Sequence, residues 1–456
     1  MSMTSTDAHA AQALRGLCGG AVRLPGDAGY DDARLPWNLQ VDVRPAAVAY
    51  PAFPEEVAEV LRAAREVGLP VVPLGTGHGA AALADDIGGA VLLRTSALTG
   101  ITIDGERGSA RAAAGVQWGD LVDRAALDGL TGRHMSSPDV GVVGSSLGGG
   151  ISWYARAHGL QSSALTSVEV VLADGSLVHA DDHCEPDLMW AARGGGGGFG
   201  VVTAVEFDLL RISSAYAGGL LWDVRHAEQV LRTWAAWAPQ APECITTAVR
   251  LMHVPDLPWL PESLRGRRIV LLDGAVLGDP TAGDELLAPL RALRPELDTF
   301  ETLRAPALTR LHQEPEGPTP GYARSSLLGE VPDAAVDLLL DTVEAGVLSR
   351  ISILELRQLG GALSRPAPRP AALDRVDGQF LFVAIGMDPD PASWPAMRED
   401  GGRLIDALEP WRSGDYLPMS DEAARSTDGT LRDVTSRLDE VRQAADPGGV
   451  FLRRPQ

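Results

Sequence analysis

The 456-residue chain contains no lysine: all 39 of its Lys+Arg positions are arginine. That absence removes a Schiff-base lysine, a P-loop phosphate lysine and a lysine general base, since each needs an amine of tunable pKa. Positive charge is also outnumbered, with 61 Asp+Glu and a net charge of −22, which argues against nucleic acid or an anionic membrane surface as partner. Cysteine is scarce. Cys18, Cys184 and Cys244 are odd in number and show no CxxC spacing, which fits a reducing compartment and no structural zinc. No 18 apolar residues run uninterrupted, and the N-terminus lacks a basic start followed by an apolar stretch. A soluble, cytoplasmic protein without membrane partners is expected. Richness in Ala, Gly, Pro and Arg resembles coding bias, so the missing lysine serves only as an exclusion.

What is present is ordinary globular material, 45% hydrophobic and 22% charged, in a length that suggests about two to three domains. Residues 54–68 place Val57, Leu61, Ala64 and Val67 on one helical face with acids in the first turn and Gly68 as the stop. A short apolar strand follows and breaks at Gly75. AVLLRT at 90–95 and ITID at 101–104 read as strands, the segment from Trp118 as a helix, and Ser167 onward as a hairpin turning on Asp174-Gly175. The mixture lacks a strict βαβ rhythm, so the expected class is α+β. After Leu210 a second domain is expected, with helices HAEQVLRTWAAW and AAVDLLLDTVEAG between strands IVLLDGAVLG, ISILELRQL and QFLFVAIGM. The Pro-rich stretches at 315–320 and 366–370 read as surface loops, and TLRDVTSRLDEVRQAADP as a last amphipathic helix.

Three segments, 75–79, 141–150 and 194–200, hold fourteen of the 51 glycines. Glycine lets backbone N–H groups approach a ligand and form anion-binding hollows, so three such loops point to a large phosphate-bearing cofactor. A Rossmann site is excluded because GTGHGA is followed by a stretch too short and turn-rich for the dinucleotide helix. Gly144 to Gly148 matches GxSxG, which offers Ser146 as a hydrolase nucleophile, although a triple glycine is a poor start for the helix that follows such an elbow. His179, Asp181, Asp182, His183 and Cys184 have metal-binding chemistry but sit at a hairpin end, where a solvated surface is the plainer reading, so no metal is expected.

Several ordered stretches resemble the FAD-linked oxidases of the vanillyl-alcohol-oxidase superfamily, in the berberine-bridge-enzyme-like branch with 6-hydroxy-D-nicotine oxidase. They are Trp37-Asn38 with VRPAAVAYPAFPEEVAEVLRAAREVGLPVVPLGTGHG, then VGVVGSSLGGGISWYARAHGL, DLMWAARGGGGGFGVVTAVEF, LELRQLGGAL and DPGGVF. The resemblance is strong over about residues 37–210 and patchy beyond.

It implies a two-domain FAD-binding fold of the PCMH type. An FAD domain would span 1–210 (core about 42–211), a substrate domain 211–415 built on an antiparallel sheet covered by helices, and a segment 416–456 returning to the first. It also implies FAD as cofactor, covalently bonded through the 8α-methyl group to His78. Leu74, Gly75, Thr76, Gly77 and Gly79 would wrap the pyrophosphate. Gly141, Gly144, Ser145, Gly148 and Gly149 would line pyrophosphate and ribose, and Gly200, Val201 and Val202 would lie near the adenine. Ser137 stands where some members carry a second linking cysteine, so a single bond is implied, and Ser137, Pro138 and His158 join the cofactor set. Val140 matches the small residue that admits oxygen, which implies an oxidase passing electrons to O2 with peroxide formed.

The chain departs from the pattern at Gly198, His158 and Tyr416-Leu417-Pro418, so the base does not transfer by resemblance. Tyr154, Tyr416 and Glu355 are the candidates taken from chemistry, beside Trp153 and Arg357. Alternation puts Glu355 and Arg357 on one strand face without saying which face is inward. The expected substrate is an alcohol, amine or hydroxylated ring of a small natural product, with a homodimer as an option. The alternatives are a flavin-binding cyclase without net redox turnover and a serine hydrolase using Ser146.

Overall fold

The computed structural model describes residues 5–83, 87–258, 260–422 and 434–452. Its strands form three sheets. The first holds β1 (Val22–Arg23), β2 (Ala47–Ala49), β3 (Val71–Leu74) and β4 (Val91–Arg94) in the order β1-β2-β4-β3, with β2 and β3 parallel to β4. The second holds β5 (Ile101–Asp104), β6 (Ser109–Ala113), β7 (Leu165–Val171), β8 (Leu177–Asp181) and β9 (Val201–Asp208), ordered β5-β6-β9-β7-β8 and antiparallel throughout. This is the α+β class.

The helix Pro54–Val67 forms because Pro54 occupies its first turn, Glu55 and Glu56 face its positive end, and Gly68 closes it at φ +73°. Its buried stripe of Val57, Val60, Leu61 and Ala64 joins the core shared by both sheets. β3 ends directly in Gly75, and the turn Ala80–Leu83 stands where a dinucleotide fold would begin a helix. The β7–β8 hairpin turns at Gly175 with φ +85°.

β10 (Ser214–Asp223) opens the third sheet, with β11 (Ile245–His253), β12 (Arg268–Val276), β13 (Leu297–Asp298), β14 (Glu301–Arg304), β15 (Gly321–Leu328), β16 (Ile353–Gln358), β17 (Phe380–Met387) and β18 (Arg412–Gly414). Its order is β13-β10-β12-β11-β16-β17-β15-β18, with β14 also paired to β10. Alternation divides this sheet into two faces. Val249, Leu251, Leu272, Leu354, Leu356 and Phe382 pack on Val230, Leu231 and Trp234 of helix Ala227–Trp237 and on Val336 and Leu339 of helix Asp333–Glu344. The other face carries Arg250, Asp273, Glu355 and Arg357 toward the first two sheets. Glu355 and Arg357 are therefore the inward pair.

The last helix, Thr435–Ala445, returns to the first core through Leu438, while the start expected for it at Thr430 lies outside the described residues. The 315–320 stretch is a surface loop, as expected, and it also docks on the first domain. Its Thr319 exchanges backbone hydrogen bonds with Trp37 and Leu39, and Gly317 donates to Asp139, because docking on the FAD side satisfies these backbone groups.

Candidate active site

Between the glycine loops and the charged face of the third sheet lies one continuous cavity of about 2300 Å³. All three glycine segments reach it, and so do Val140, Val202, Glu355 and Tyr416.

On the first wall, Leu74 to Gly79 run along the cavity as a loop set by Gly77, whose φ is +90° and whose added Cβ would lie 2.6 Å from the Pro36 Cβ. No side chain fits there, so the chain bends at this glycine. His78 then stacks on Trp37 with ring centroids 4.2 Å apart, and its Nδ1 meets the Thr76 hydroxyl at 2.9 Å. Its Nε2 is buried without a hydrogen-bond partner, 3.5 Å from Asp139 Oδ1.

Asp139 was not singled out from the sequence, yet it organises this corner. It accepts from the Trp37 indole and the Ser137 hydroxyl, both at 2.6 Å, and from Gly317 N at 2.8 Å. Burial raises its carboxyl pKa, but the contacts from His78, Ser137, Gly317 and Trp37 outweigh that and hold it well below the usual carboxylate range. The signal available was local: an acid one residue before Val140, in the segment leading to the second glycine loop.

The third loop alternates through positive φ at Gly194, Gly196 and Gly198, and an added Cβ at Gly196 or Gly197 would meet nothing within 4 Å. Arg442 of the last helix holds this loop by donating to the carbonyls of Gly195 (3.1 Å) and Gly197 (3.3 Å). Open space in front of backbone groups, beside a buried ring nitrogen without a partner, fits an FAD pyrophosphate and ring.

Not every residue expected here reaches the cavity. Gly141, Gly144, Ser145, Gly148 and Gly200 do, although the Ser145 hydroxyl is already committed, accepting from Trp118 and donating to Gly141 O, each at 2.8 Å. Gly149 is turned against Leu373 and Tyr416, and Val201 lies in the core while its neighbour Val202 lines the site. Ser137 and Pro138 stand behind the wall, Ser137 serving Asp139 and Pro138 packing on Gly119. His158 is absent from the lining, and its carbonyl accepts from Arg133. Tyr154 is fully buried behind the site, 3.3 Å from His134 Nε2, and burial raises its pKa. Trp153 likewise stays behind, edge-on to His312. Both rings stand in the turn before helix Ala155–His158 and are buried there.

Ser146 sits inside the helix Val142–Leu147, fully buried, with an Oγ that has no hydrogen-bond partner. A hydrolase nucleophile needs an exposed strand-to-helix turn and a histidine within reach, and this serine has neither. In the hairpin cluster, Asp181 accepts from the His183 and Cys184 backbone and Asp182 pairs with Arg193, leaving no convergent metal donors among the described residues.

The second wall is made of side chains. Glu355 and Arg250 are cross-strand partners, and one row along, Asp273, Ala248 and Arg357 lie directly opposite one another on β12, β11 and β16. Arg250 pairs with Asp273, and Arg357 Nε donates to Glu355 at 2.8 Å. Burial raises the Glu355 pKa, but the guanidinium of Arg357 first, and that of Arg250 after it, bring it down to about 2. His312, also unforeseen, closes the cluster: its Nδ1 is 2.7 Å from Asp273 and its Nε2 is 2.9 Å from Arg357 Nη2. Tyr416 accepts from Gly150 N at 3.2 Å, and burial raises its pKa.

Comparison with known proteins agrees with this geometry. Residues 45–181 match the FAD binding domain family. The chain is 27% identical over 455 residues to the uncharacterized FAD-linked oxidoreductase YvdP of Bacillus subtilis, covering 96% of this chain and 97% of that one. It is 35% identical over 207 residues to (R)-6-hydroxynicotine oxidase of Paenarthrobacter nicotinovorans, a match covering 44% of each chain. The structure of BBE-like 1 from Physcomitrella patens superposes with a TM-score of 0.84 at 21% identity over 98% of both chains. In class, the protein is an FAD-linked oxidoreductase on a PCMH-type two-domain fold. Its fold over the full length is the one seen in BBE-like 1.

Proposed function

We propose that the protein is an oxidase that holds FAD by a single covalent bond from His78. Its substrate would be an alcohol, amine or hydroxylated ring of a small natural product. Bound FAD supplies hydride acceptance and reoxidation by O2 with peroxide formed, chemistry that no side chain of this protein offers.

The observation that carries this reading is His78 Nε2, buried and without a hydrogen-bond partner at the lip of a glycine cradle. Trp37 fixes the ring plane, Thr76 holds the far nitrogen, and the Asp139 carboxylate stands ready to stabilise positive charge on the imidazole. Val140 offers only a short branched side chain to the cavity, in keeping with access for O2. Ser137, in place of a second linking cysteine, keeps its hydroxyl on Asp139. Glu355 is held ionised, and with its pKa at about 2 it suits the fixing of Arg357 better than the taking of a proton at neutral pH.

Denaturing gel electrophoresis of the purified protein tests the attachment. The wild-type band is expected to fluoresce after acid precipitation, and His78→Ala to lose all of that fluorescence while retaining dissociable FAD. Covalent flavin surviving in His78→Ala refutes the attachment site, and a colourless protein labelled by a fluorophosphonate refutes the oxidoreductase chemistry. Stoichiometric peroxide during turnover separates the oxidase from a cyclase that retains flavin without redox turnover.

A further inference from the structure

We propose that His312, oriented by Asp273, is the group that deprotonates the substrate, and that it selects a hydroxyl carried on an apolar skeleton. The proposal rests on the oxidase reading above and narrows its three substrate classes to those bearing O–H.

A guanidinium only donates hydrogen bonds, so the 2.9 Å contact from Arg357 Nη2 requires His312 Nε2 to carry a lone pair. His312 Nδ1 must then hold the proton and donate it to Asp273 at 2.7 Å. The tautomer is set from both sides: a neutral imidazole, its basic nitrogen on the Arg357 side of an Asp–His pair, its side chain wholly buried and packed against Trp153. This is the arrangement of a base with its orienting acid. The sheet builds it by register, because Ala248, between Asp273 and Arg357, is too small to fill the space over which both reach His312. The groups facing this imidazole are Asp273 on β12, Arg250 on β11 (bonded to its carbonyl), and Glu355 and Arg357 on β16, with Glu355 Oε2 3.8 Å from Nε2. Tyr416 and Glu314 lie beyond Arg357.

The Arg357–His312 contact marks where the substrate group goes. A hydroxyl that displaces this 2.9 Å contact donates its hydrogen to Nε2 and accepts from Nη2 with its oxygen. As the O–H bond breaks, the proton forms an N–H bond on His312, and the electron pair stays on an oxygen facing the Arg357 cation. An alkylammonium can donate to Nε2 but has no lone pair for Arg357 and is repelled by it. Along the same sheet face, Met252, Ile269, Leu271, Ile353 and Ile385 replace the charges with hydrocarbon. The rest of the substrate is accordingly apolar.

4-Nitrophenol tests this on the flavin-loaded protein, because it carries the hydroxyl but no carbinol hydrogen to oxidise. At a pH about one unit below its midpoint in solution, difference absorbance should show it bound as the phenolate. His312→Gln should abolish the phenolate band, and 4-nitroaniline and lactose should bind at least tenfold more weakly. A probe bound un-ionised, an unchanged phenolate band in His312→Gln, or aniline or lactose binding as tightly as the phenol overturns the proposal. Should His312→Gln fail to fold, Asp273→Asn serves: the ionisation midpoint of the bound probe should rise, and an unmoved midpoint overturns the orienting role. Gel fluorescence on the same preparations separates the two readings. Absent covalent flavin with a bound phenolate defeats only the cofactor attachment, and present covalent flavin without phenolate defeats only His312.

Discussion

The two walls of the cavity recognise their ligands with different parts of the chain. The FAD-side wall is mostly backbone, with glycine loops at 75–79, 141–150 and 194–200 and one imidazole, His78, among them. The wall opposite is side chain, with Arg250, Asp273, His312, Glu355 and Arg357 buried on and above a sheet. A backbone wall keeps its space for the ligand only while its positions stay glycine, but it needs no charge balance. A side-chain wall tolerates changes of shape and fails when one charge is removed, because its remaining partner is left buried and alone.

Three measurements break or sharpen that contrast. The largest effect is expected from Glu355→Gln, which leaves Arg357 without its anion and should cost about 3–5 kcal/mol in denaturant unfolding. The pH dependence has a definite sign. The Glu355 pKa is lower in the folded protein, at about 2, than unfolded, so its contribution is complete above the unfolded value and fades as pH falls toward 2. The variant should therefore lose less stability than wild type on acidification through that window. An identical acid profile would show that the pair does not set it.

Gly77→Ala comes next. It places a Cβ in a left-handed backbone at φ +90° and against Pro36, for about 1–3 kcal/mol, and flavin per chain should fall with it. Wild-type flavin content in this variant would mean that the loop does not shape the cofactor site. Smallest of all, Ser146→Ala removes a buried hydroxyl that has no hydrogen-bond partner, so stability should change by within about 0.5 kcal/mol or rise, with turnover intact. Loss of turnover there would reopen the hydrolase.

How far each wall was legible follows from the same contrast. The glycine wall could be read because a backbone that must approach phosphate is written as glycine, and His78 stands inside such a loop. Reading became unreliable one residue at a time, as with Gly149, Val201 and Tyr154, where the path of the chain between loops decides which neighbour faces the cavity. Strand parity paired Glu355 with Arg357 but left their face open. Asp273 and His312 carried no local signal, since they lie 39 residues apart and meet only through the path of the chain from β12 through β13 and β14.

Composition, periodicity and loop chemistry by themselves determined the α+β class, the absence of lysine chemistry and the site of a phosphate-bearing cofactor, because each depends on residues close in the chain. The tertiary structure alone decided which sheet face is wet, which histidine meets which acid, and that Ser146 is sealed in the core. Those depend on strand register and on packing between distant segments, and a shift of one residue in register would reverse every one of the sheet's faces.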